Sequence, residues 1–161
     1  DWVYPASYTT REKRPTEVDN DVYHFISMDE FKKGIFDGEF LEYAVVHSDN
    51  YYGTRKKEIV SALEEGKIVV REVDIQGFRL ISEQIPKENL TSIFLMVNSL
   101  EDLIARILKR GKLPKEEIER RMQSARREIA GRDFCNYVVP SITGKIQECT
   151  DEVEKLILAA L

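Results

Sequence analysis

The sequence predicts an α/β fold with a largely parallel sheet, and three observations support this prediction. Strand-like and helix-like segments alternate along the 161 residues, which is typical of folds whose helices connect parallel strands. The helical segments carry start and stop signals, such as the capping box Ser27-Met28-Asp29-Glu30 and the later Gly66. We find no internal repeat, linker or low-complexity segment, and the length fits one domain with a sizeable core.

The predicted elements alternate in chain order, with strands placed on apolar or β-branched runs and helices on capped, amphipathic segments. The predicted strands are residues 2–8, 22–26, 40–46, 67–74, 91–97 and 137–139. The predicted helices are residues 27–38, 55–65, 76–85, 99–111, 114–130 and 151–160. The glycine-containing segment 51–54 indicates a turn between a strand and a helix.

The composition is that of an ordinary globular protein with an acidic balance. Lys and Arg number 24 against 29 Asp and Glu, which gives a net charge of −5. This balance argues against nucleic-acid and membrane-surface binders, whose binding faces are basic, but it is compatible with a small phosphorylated ligand. Cys135 and Cys149 lack CxxC spacing, and no apolar run could span a bilayer, so we expect reduced thiols in a cytoplasmic protein. His24 and His47 have no partner at metal-ligand spacing, so we expect no metal site built from them. The oligomeric state is left open.

A candidate phosphate-binding segment lies at residues 7–19, which read SYTTREKRPTEVD. It places Arg11 and Arg14 three residues apart beside a run of hydroxyl side chains. Guanidinium groups present forked donors that match phosphate oxygens, and hydroxyl groups add further donors. A solvated surface loop is the alternative interpretation of the same residues.

Further polar residues fall in or just after the predicted strands. Ligands of open α/β sheets bind at the carboxyl ends of the strands, so we expect these residues to share one pocket. The set is Ser7, Arg11, Arg14, Glu42, Tyr52, Thr54, Glu72 and Asp74.

Taken together, these segments resemble the guanylate kinase family over essentially the full length of the chain. The matching motifs are SYTTREKRPTEVD at 7–19, YHF at 23–25, EFLE at 39–42, YYGT at 51–54, EVDIQG at 72–77, Arg106, KRG at 109–111, and IERRM at 118–122 with Ala125 and Glu128. Each motif alone is weak, whereas their order and spacing together are highly specific. The resemblance implies a fold like that of P-loop nucleoside monophosphate kinases for residues 1–161, with a GMP-binding region at 8–70 and a helical lid at about 106–126.

The resemblance also implies roles at a GMP site. The phosphate would be held by Arg11, Arg14, Tyr23 and Tyr52, and guanine by Glu42 with help from Ser7 and Thr54. A carboxylate can accept hydrogen bonds from two adjacent N–H groups, which guanine offers on its Watson–Crick edge and adenine does not. A surface acid at a strand end is the alternative for Glu42. Of the neighbouring Tyr51 and Tyr52, we expect one to pack inward.

Glu72 and Asp74 belong to the same implied site, with two candidate roles. They would orient the arginines on the GMP side, or they would contact the hydration shell of magnesium. The alternative for Asp74 is structural, since an Asp that closes a strand often caps the following helix.

The implied activity is phosphorylation of GMP by ATP, with Mg2+ as cofactor and direct in-line attack on the γ-phosphoryl group. Arg106, Arg110 and Arg121 resemble the lid arginines of the family, which stabilise charge on the transferring group. A solvated basic helix face is the alternative for them. A second function is a non-catalytic guanylate-kinase-like module that binds a phosphorylated peptide or partner protein, although Glu42 and the lid arginines favour the kinase.

The sequence departs from the family in two places. The family's phosphate-binding loop, GxxxxGKS/T, holds ATP phosphates and ligates magnesium, and none of the eight glycines here lies in such a motif. We therefore expect the 161 residues to be a fragment of a longer chain that carries this loop and the central strand, and to be inactive alone. In addition, Pro140-Ser141-Ile142 replaces the Asn-Asp pair usual near the adenine of ATP, which puts the contacts on the ATP side in question.

Overall fold

The computed structural model describes residues 1–19, 21–46 and 49–160, with the side chains of Val46 and Arg110 outside the description. His47, one of the two histidines discussed above, also lies outside the described residues. The chain divides into two units, Asp1–Pro86 and Lys87–Leu161.

Strands and helices alternate along most of the chain, as predicted for an α/β fold. The strands are β1 (Trp2–Val3), β2 (Ser7–Thr9), β3 (Tyr23–Phe25), β4 (Phe40–Val46), β5 (Asn50–Arg55), β6 (Ile68–Val69), β7 (Ile93–Val97) and β8 (Tyr137–Ser141). The helices are α1 (Met28–Phe36), α2 (Lys56–Glu64), α3 (Ile75–Ser82), α4 (Leu100–Arg110), α5 (Lys115–Ala130) and α6 (Ile146–Ala159). Short 3-10 turns occupy Lys87–Asn89 and Arg132–Phe134.

The first unit contains a mixed sheet with the strand order β3-β2-β5-β4. β2 and β3 are parallel, with Ser7 opposite Tyr23, whereas β5 runs antiparallel to both β2 and β4. Glu42 on β4 lies opposite Thr54 on β5. Directly opposed residues project from the same face of a sheet, so this pairing places both side chains on one face. The predicted single, largely parallel sheet is thus wrong for the described residues, whose strands form separate parallel and mixed sheets.

β1 and β6 form a separate parallel pair in the same unit, with Trp2 opposite Ile68. The predicted strand at 2–8 is divided because Pro5 lacks the N–H that would continue a ladder, and the chain joins the mixed sheet only from Ser7. The predicted strand at 67–74 is likewise shortened to two residues, since its partner β1 is equally short. One further hydrogen bond, from Val70 N–H to Val3 O at 3.0 Å, extends the pairing.

The hairpin formed by β4 and β5 corrects the predicted turn at 51–54. Those residues lie inside β5, and the strands pair as far as Val46 opposite Asn50. Asp49, at the end of the connection, has a φ of 63°, a left-handed conformation that Asp tolerates in turns. Gly53 indicated a turn, but its small size serves close packing within the sheet instead. A Cβ atom on Gly53 would lie 2.8 Å from the carbonyl oxygen of Glu42.

Helix caps explain several of the predicted boundaries. The Ser27 side chain accepts a hydrogen bond from the Glu30 N–H, and Glu30 bonds back to Ser27, so the predicted capping box is present. The Ser99 side chain caps α4 by accepting a hydrogen bond from the Asp102 N–H. The C-terminal helix α6 begins at Ile146 rather than near Asp151, because the chain already turns into the helix after Gly144 with its φ of 83°.

Aromatic side chains form much of the core of the first unit. The Phe31 ring on α1 stacks on the Phe40 ring of β4 with 4.3 Å between centroids, and both residues are buried. Tyr51 packs against Phe31 at 5.3 Å. Since successive side chains of a strand alternate in direction, Tyr52 points to the other face of the sheet. This confirms that one of the two adjacent tyrosines packs inward.

The second unit is built on β7 and β8, which pair in parallel, with α4 against β7, α6 against β8 and α4 against α5. Met122 and Val139 are buried, whereas Leu95 on β7 is 51% exposed. The strand predicted at 91–97 is therefore present as β7 but only partly covered within the described residues. Cys135 and Cys149 are free thiols. No helix of the described residues has the length and apolar character needed to cross a bilayer.

Candidate functional site

A cavity of about 140 Å³ opens on the first unit. Its walls come from β2, β3, β4, β5 and the segment that leads into α3. The lining residues are Ser7, Tyr23, Glu42, Ala44, Tyr52, Gly53, Glu72, Val73 and Asp74. Six of these are residues that the sequence placed in one pocket or assigned to the GMP site, so the structure brings most of the predicted site together.

Glu42 is a buried acid in this cavity, with 7% of its surface exposed. Its Oε1 accepts a hydrogen bond of 2.6 Å from the hydroxyl of Thr54, which is fully buried. Burial raises the pKa of Glu42, whereas the Thr54 hydrogen bond and the positive charge of Arg71 oppose this rise and the negative charge of Asp74 adds to it. Glu42 is therefore not the surface acid of the alternative interpretation, but a buried carboxyl placed at a cavity.

The N-terminal turn of α3 approaches this carboxyl closely at Gly77. A Cβ atom at Gly77 would lie 2.9 Å from Oε2 of Glu42 and 3.2 Å from Cβ of Val73. The absence of a side chain at Gly77 therefore provides the space that the Glu42 carboxylate occupies.

Arg71 is a site residue that the sequence reasoning missed. Its Nη2 donates a hydrogen bond of 2.9 Å to Thr54 Oγ1 and another to Ser7 Oγ, while Nη1 donates to the carbonyl oxygen of Pro5. The run Lys67–Asp74 looks like a β-branched strand, and Arg71 in its middle carries no local motif. The available signal was a long cation inside an apolar, β-branched stretch, since a cation that such a strand buries requires polar partners.

A second cluster is centred on Arg11. Its guanidinium forms a bidentate ion pair with Glu17, with both N···O distances at 2.7 Å, and its Nε donates to the hydroxyl oxygen of Tyr52 at 3.2 Å. The Tyr23 ring lies 5.1 Å from the guanidinium carbon. The hydrogen bonds from Arg11 lower the pKa of Glu17 to about 2. Arg11 is therefore held in place beside two tyrosines that line the cavity.

Arg14 lies near this cluster but differs from Arg11 in being exposed. Its backbone N–H donates to Glu17 Oε2 at 2.8 Å, so Glu17 fixes the main chain at Arg14 and the side chain at Arg11. Glu17 was noted only as an acid in the sequence, and its role in holding both arginine positions follows from the geometry.

Glu72 and Asp74 both line the cavity, but they have different partners. Glu72 accepts a hydrogen bond of 3.0 Å from the hydroxyl of Tyr4. Asp74 is the N-cap of α3, where its Oδ1 accepts a hydrogen bond of 2.7 Å from the Gly77 N–H. The capping role considered for Asp74 is therefore present, and the carboxylate also faces the cavity.

The three arginines assigned to the lid belong to the second unit. Arg106 donates to Thr143 Oγ1 at 3.0 Å and to Ser141 Oγ at 3.1 Å. Arg121 donates to Glu117 Oε1 at 2.7 Å. Arg110 is the last residue of α4, and its side chain lies outside the described residues. Each of the two described arginines is thus bonded within its own unit.

The described residues contain no preassembled cluster of metal-ligand side chains. No group of three or more His, Cys, Asp or Glu side chains among them is placed to hold a metal ion. The 161 residues also contain no GxxxxGKS/T motif, whose backbone amides would cradle phosphates. His24, one of the two histidines, stacks against Tyr8 with 4.5 Å between ring centroids, in agreement with a structural role.

Comparisons with known proteins show the family to which the chain belongs. The guanylate kinase family model matches residues 1–160. A guanylate kinase from Helicobacter pylori is 38% identical over 156 residues, which make up 97% of this chain and 71% of that protein. One from Clostridium tetani is 37% identical over 97% of this chain and 73% of its own length. The crystal structure of guanylate kinase from Anaplasma phagocytophilum superposes with a TM-score of 0.77 at 28% identity, covering 98% of this chain and 75% of that one. The chain therefore belongs to the guanylate kinase family.

Proposed function

We propose that this protein phosphorylates GMP to GDP with ATP as the phosphoryl donor, and that the cavity of the first unit binds GMP. The observation that carries the proposal is the buried carboxyl of Glu42, which is held by Thr54 at a cavity that also contains two tyrosines next to Arg11. Such a cavity offers acceptors at one place and phosphate-binding donors at another, as a nucleoside monophosphate requires.

The base would be read by Glu42. Guanine presents N1–H and its 2-amino group side by side, and an ionised carboxylate can accept both hydrogen bonds. Adenine has an acceptor nitrogen at N1, so it would leave the buried carboxylate without a partner, which is costly in a desolvated site. Ser7 lines the cavity together with Glu42. Thr54 is fully buried behind them and supports both, through its own hydrogen bond to Glu42 and through Arg71, which donates to Ser7 and Thr54.

The phosphate would be bound by Arg11, Arg14, Tyr23 and Tyr52. Arg11 is already oriented by Glu17 and Tyr52, so little side-chain entropy is lost when an anion binds. Arg14 is exposed and keeps its guanidinium available to a ligand. Two guanidinium groups and two phenolic hydroxyls supply charge-assisted hydrogen bonds to phosphate oxygens.

The donor side of the reaction rests on the family rather than on residues described in this chain. We propose that Arg106, Arg110 and Arg121 supply positive charge to the transferring phosphoryl group, and that Glu72 and Asp74 help to organise the GMP side. Mg2+ would neutralise charge on ATP. Because the 161 residues contain no GxxxxGKS/T motif, we expect them alone to bind GMP without transferring phosphate. We place the reaction in the cytoplasm, in agreement with the free cysteines.

The substitution Glu42→Gln tests the base-reading role. Glutamine keeps the size of the side chain, but one of its two terminal atoms is a donor instead of an acceptor. We expect calorimetric titration to show GMP binding weakened by about tenfold or more, with ribose 5-phosphate binding unchanged. Equal losses for both ligands would remove Glu42 from base recognition.

The competing function is that of a non-catalytic module that binds a phosphorylated peptide. The presence of Glu42 distinguishes the kinase from such a module. A domain that binds a phosphorylated peptide needs the arginines and tyrosines of the phosphate cluster, but it has no use for a buried carboxyl that recognises adjacent N–H groups. A phosphopeptide that binds more tightly than GMP would favour the module.

A further inference from the structure

A hydrogen-bonded chain that starts at Arg71 leads to the carboxyl of Glu42 in the candidate site. The Nη2 atom of Arg71 donates to both Ser7 Oγ and Thr54 Oγ1, and Thr54 in turn donates to Glu42 Oε1 at 2.6 Å. Ser7 and Glu42 line the cavity, whereas Arg71 reaches it through these side chains. A third donor of the guanidinium fixes it to the carbonyl oxygen of Pro5.

The direction of these hydrogen bonds is determined by the groups themselves. Arginine has donors and no acceptor, and an ionised carboxylate accepts and cannot donate. A hydroxyl has one hydrogen, so Thr54, which accepts from Arg71, must direct its own hydrogen to Glu42. Ser7 also accepts from Arg71, and its hydrogen is therefore left for a ligand in the cavity.

We propose that Arg71 is a positioning residue for the base site, which orients the hydroxyls of Ser7 and Thr54 so that the cavity favours a 6-oxopurine with an adjacent N–H over a 6-aminopurine. This inference rests on the proposed GMP-binding function. The guanidinium places positive charge beside Ser7, which favours an oxo group over an amino group as the substituent bound there. The same charge stabilises the ionised form of Glu42, which must accept from the base.

The hydrogen bonds to Ser7 and Thr54 distinguish Arg71 from a cation that only packs against a ring. Its Nε is buried and has no hydrogen-bond partner among the described residues, and an apolar residue would avoid that penalty. Its guanidinium carbon also lies 5.6 Å from the centre of the Tyr4 ring. Packing against Tyr4 does not require hydrogen bonds to Ser7 and Thr54. These bonds therefore indicate that the guanidinium acts on the site.

Arg55 provides a matched control in the same unit. Like Arg71 it has a buried Nε without a partner among the described residues, and its guanidinium carbon lies 4.4 Å from the centre of the Tyr8 ring. Its ion-pair partner is Glu39 at 3.5 Å, and it makes none of the hydrogen bonds to Ser7 or Thr54. Arg55→Met therefore removes a similar cation from a similar environment without touching the chain that leads to Glu42.

The test is calorimetric titration of the protein, of Arg71→Met and of Arg55→Met with GMP, AMP and ribose 5-phosphate. We expect Arg71→Met to weaken GMP binding about tenfold or more, to narrow the preference for GMP over AMP, and to leave ribose 5-phosphate binding within about twofold of the unsubstituted protein. Arg55→Met is expected to preserve the preference. An unchanged preference in Arg71→Met, or an equal loss in Arg55→Met, would overturn the proposal.

The pH dependence of GMP binding provides a second measurement, which would not change if Arg71 had only a structural role. The charged groups acting on Glu42 are Arg71, which favours its ionised form, and Asp74, which opposes it. Base-dependent binding, taken as the affinity for GMP divided by that for ribose 5-phosphate, should fall as the pH drops and Glu42 takes up a proton. The division cancels the titration of the phosphate. In Arg71→Met the midpoint of this fall is expected at higher pH, and an unmoved midpoint would count against the proposal.

Arg71→Lys covers the case in which the methionine variant does not fold. Lysine retains the charge but loses the planar fork that bonds two hydroxyls and a carbonyl together. We expect its pH midpoint to match that of the unsubstituted protein, with GMP affinity several-fold lower, and full retention of affinity would overturn the orienting role. If the unsubstituted protein binds GMP no more tightly than ribose 5-phosphate, that result contradicts the proposed function itself and not only the role of Arg71.

Discussion

Glu42 exposes 7% of its surface and reaches a cavity whose lining includes a serine, two tyrosines and two further acids. Burying a carboxylate is unfavourable unless hydrogen bonds and nearby positive charge offset the loss of water. Thr54 and Arg71 supply both, but burial still dominates and raises the pKa of Glu42. A residue kept at such a cost is a candidate for function rather than for stability.

The free-energy cost of burying the Glu42 carboxylate can be measured by comparing its effects on stability and on ligand binding. The native carboxyl of Glu42 holds its proton at pH values where the unfolded one, with an ordinary pKa of 4.5, has lost it. The contribution of Glu42 to stability therefore decreases as the pH rises through this range. We expect Glu42→Gln to unfold in urea with a free energy equal to or higher than that of the unsubstituted protein at neutral pH, with the advantage shrinking as the pH falls toward about 4.5.

Circular dichroism in urea at several pH values would follow this comparison. The same variant should lose base-dependent binding of GMP, so one substitution moves stability and recognition in opposite directions. A variant that is clearly less stable at neutral pH would show that the carboxylate contributes to the fold, contrary to this interpretation.

At the scale of elements, α3 brings Asp74 and Gly77 to the site. Asp74 caps the helix through the Gly77 N–H, and the absent side chain of Gly77 leaves room for the Glu42 carboxylate. The turn that starts the helix is thus part of the wall of the cavity. A change in the cap should act on both the helix and the site.

Asp74→Asn and Asp74→Ala separate these two effects. Asparagine caps a helix about as well as aspartate, whereas alanine does not, so we expect Asp74→Ala to lower the free energy of unfolding by about 1 kcal/mol and Asp74→Asn by much less. Urea unfolding of both variants measures the difference. Equal destabilisation would mean that the charge of Asp74, rather than its capping hydrogen bond, stabilises this region.

The elements also show where sequence reasoning succeeds. Local hydrogen bonds determine the capping box at Ser27 and the N-cap at Ser99. The starts of these two helices could therefore be predicted from neighbouring residues. Partners distant in the chain determine the rest. The length of β6 depends on its partner β1. Gly53 lies in β5, where it pairs with β4 and where the carbonyl oxygen of Glu42 leaves no room for a side chain. No local pattern contains that information.

The candidate site follows the same division. Six residues that belong to the family motifs line one cavity of the structure. They are Ser7, Tyr23, Glu42, Tyr52, Glu72 and Asp74. Arg71 and Glu17 were missed because their roles consist of contacts with other residues of the site. Arg71 bonds to Ser7 across 64 positions of sequence separation. Such contacts cannot be read from spacing.

At the scale of the whole molecule, the acidic chain places individual guanidinium groups, and not a basic surface, at the candidate site, where the acids Glu17, Glu42, Glu72 and Asp74 also lie. Its net charge is −5, yet Arg11, Arg14 and Arg71 all lie in or beside the candidate site of the first unit. A few oriented guanidinium groups are sufficient for a mononucleotide, whereas nucleic-acid binding would call for a broad basic surface. The family assignment and the charge distribution thus agree on a small phosphorylated ligand.

The central claim is that a buried carboxyl selects guanine for this protein, and direct titration with GMP and AMP tests it. Both ligands carry the same ribose and phosphate, so any difference in affinity comes from the base. We expect GMP to bind about a hundredfold or more tightly than AMP, as for sites built to hydrogen-bond a specific polar group. Equal affinities for GMP and AMP would contradict the account, whatever the strength of phosphate binding.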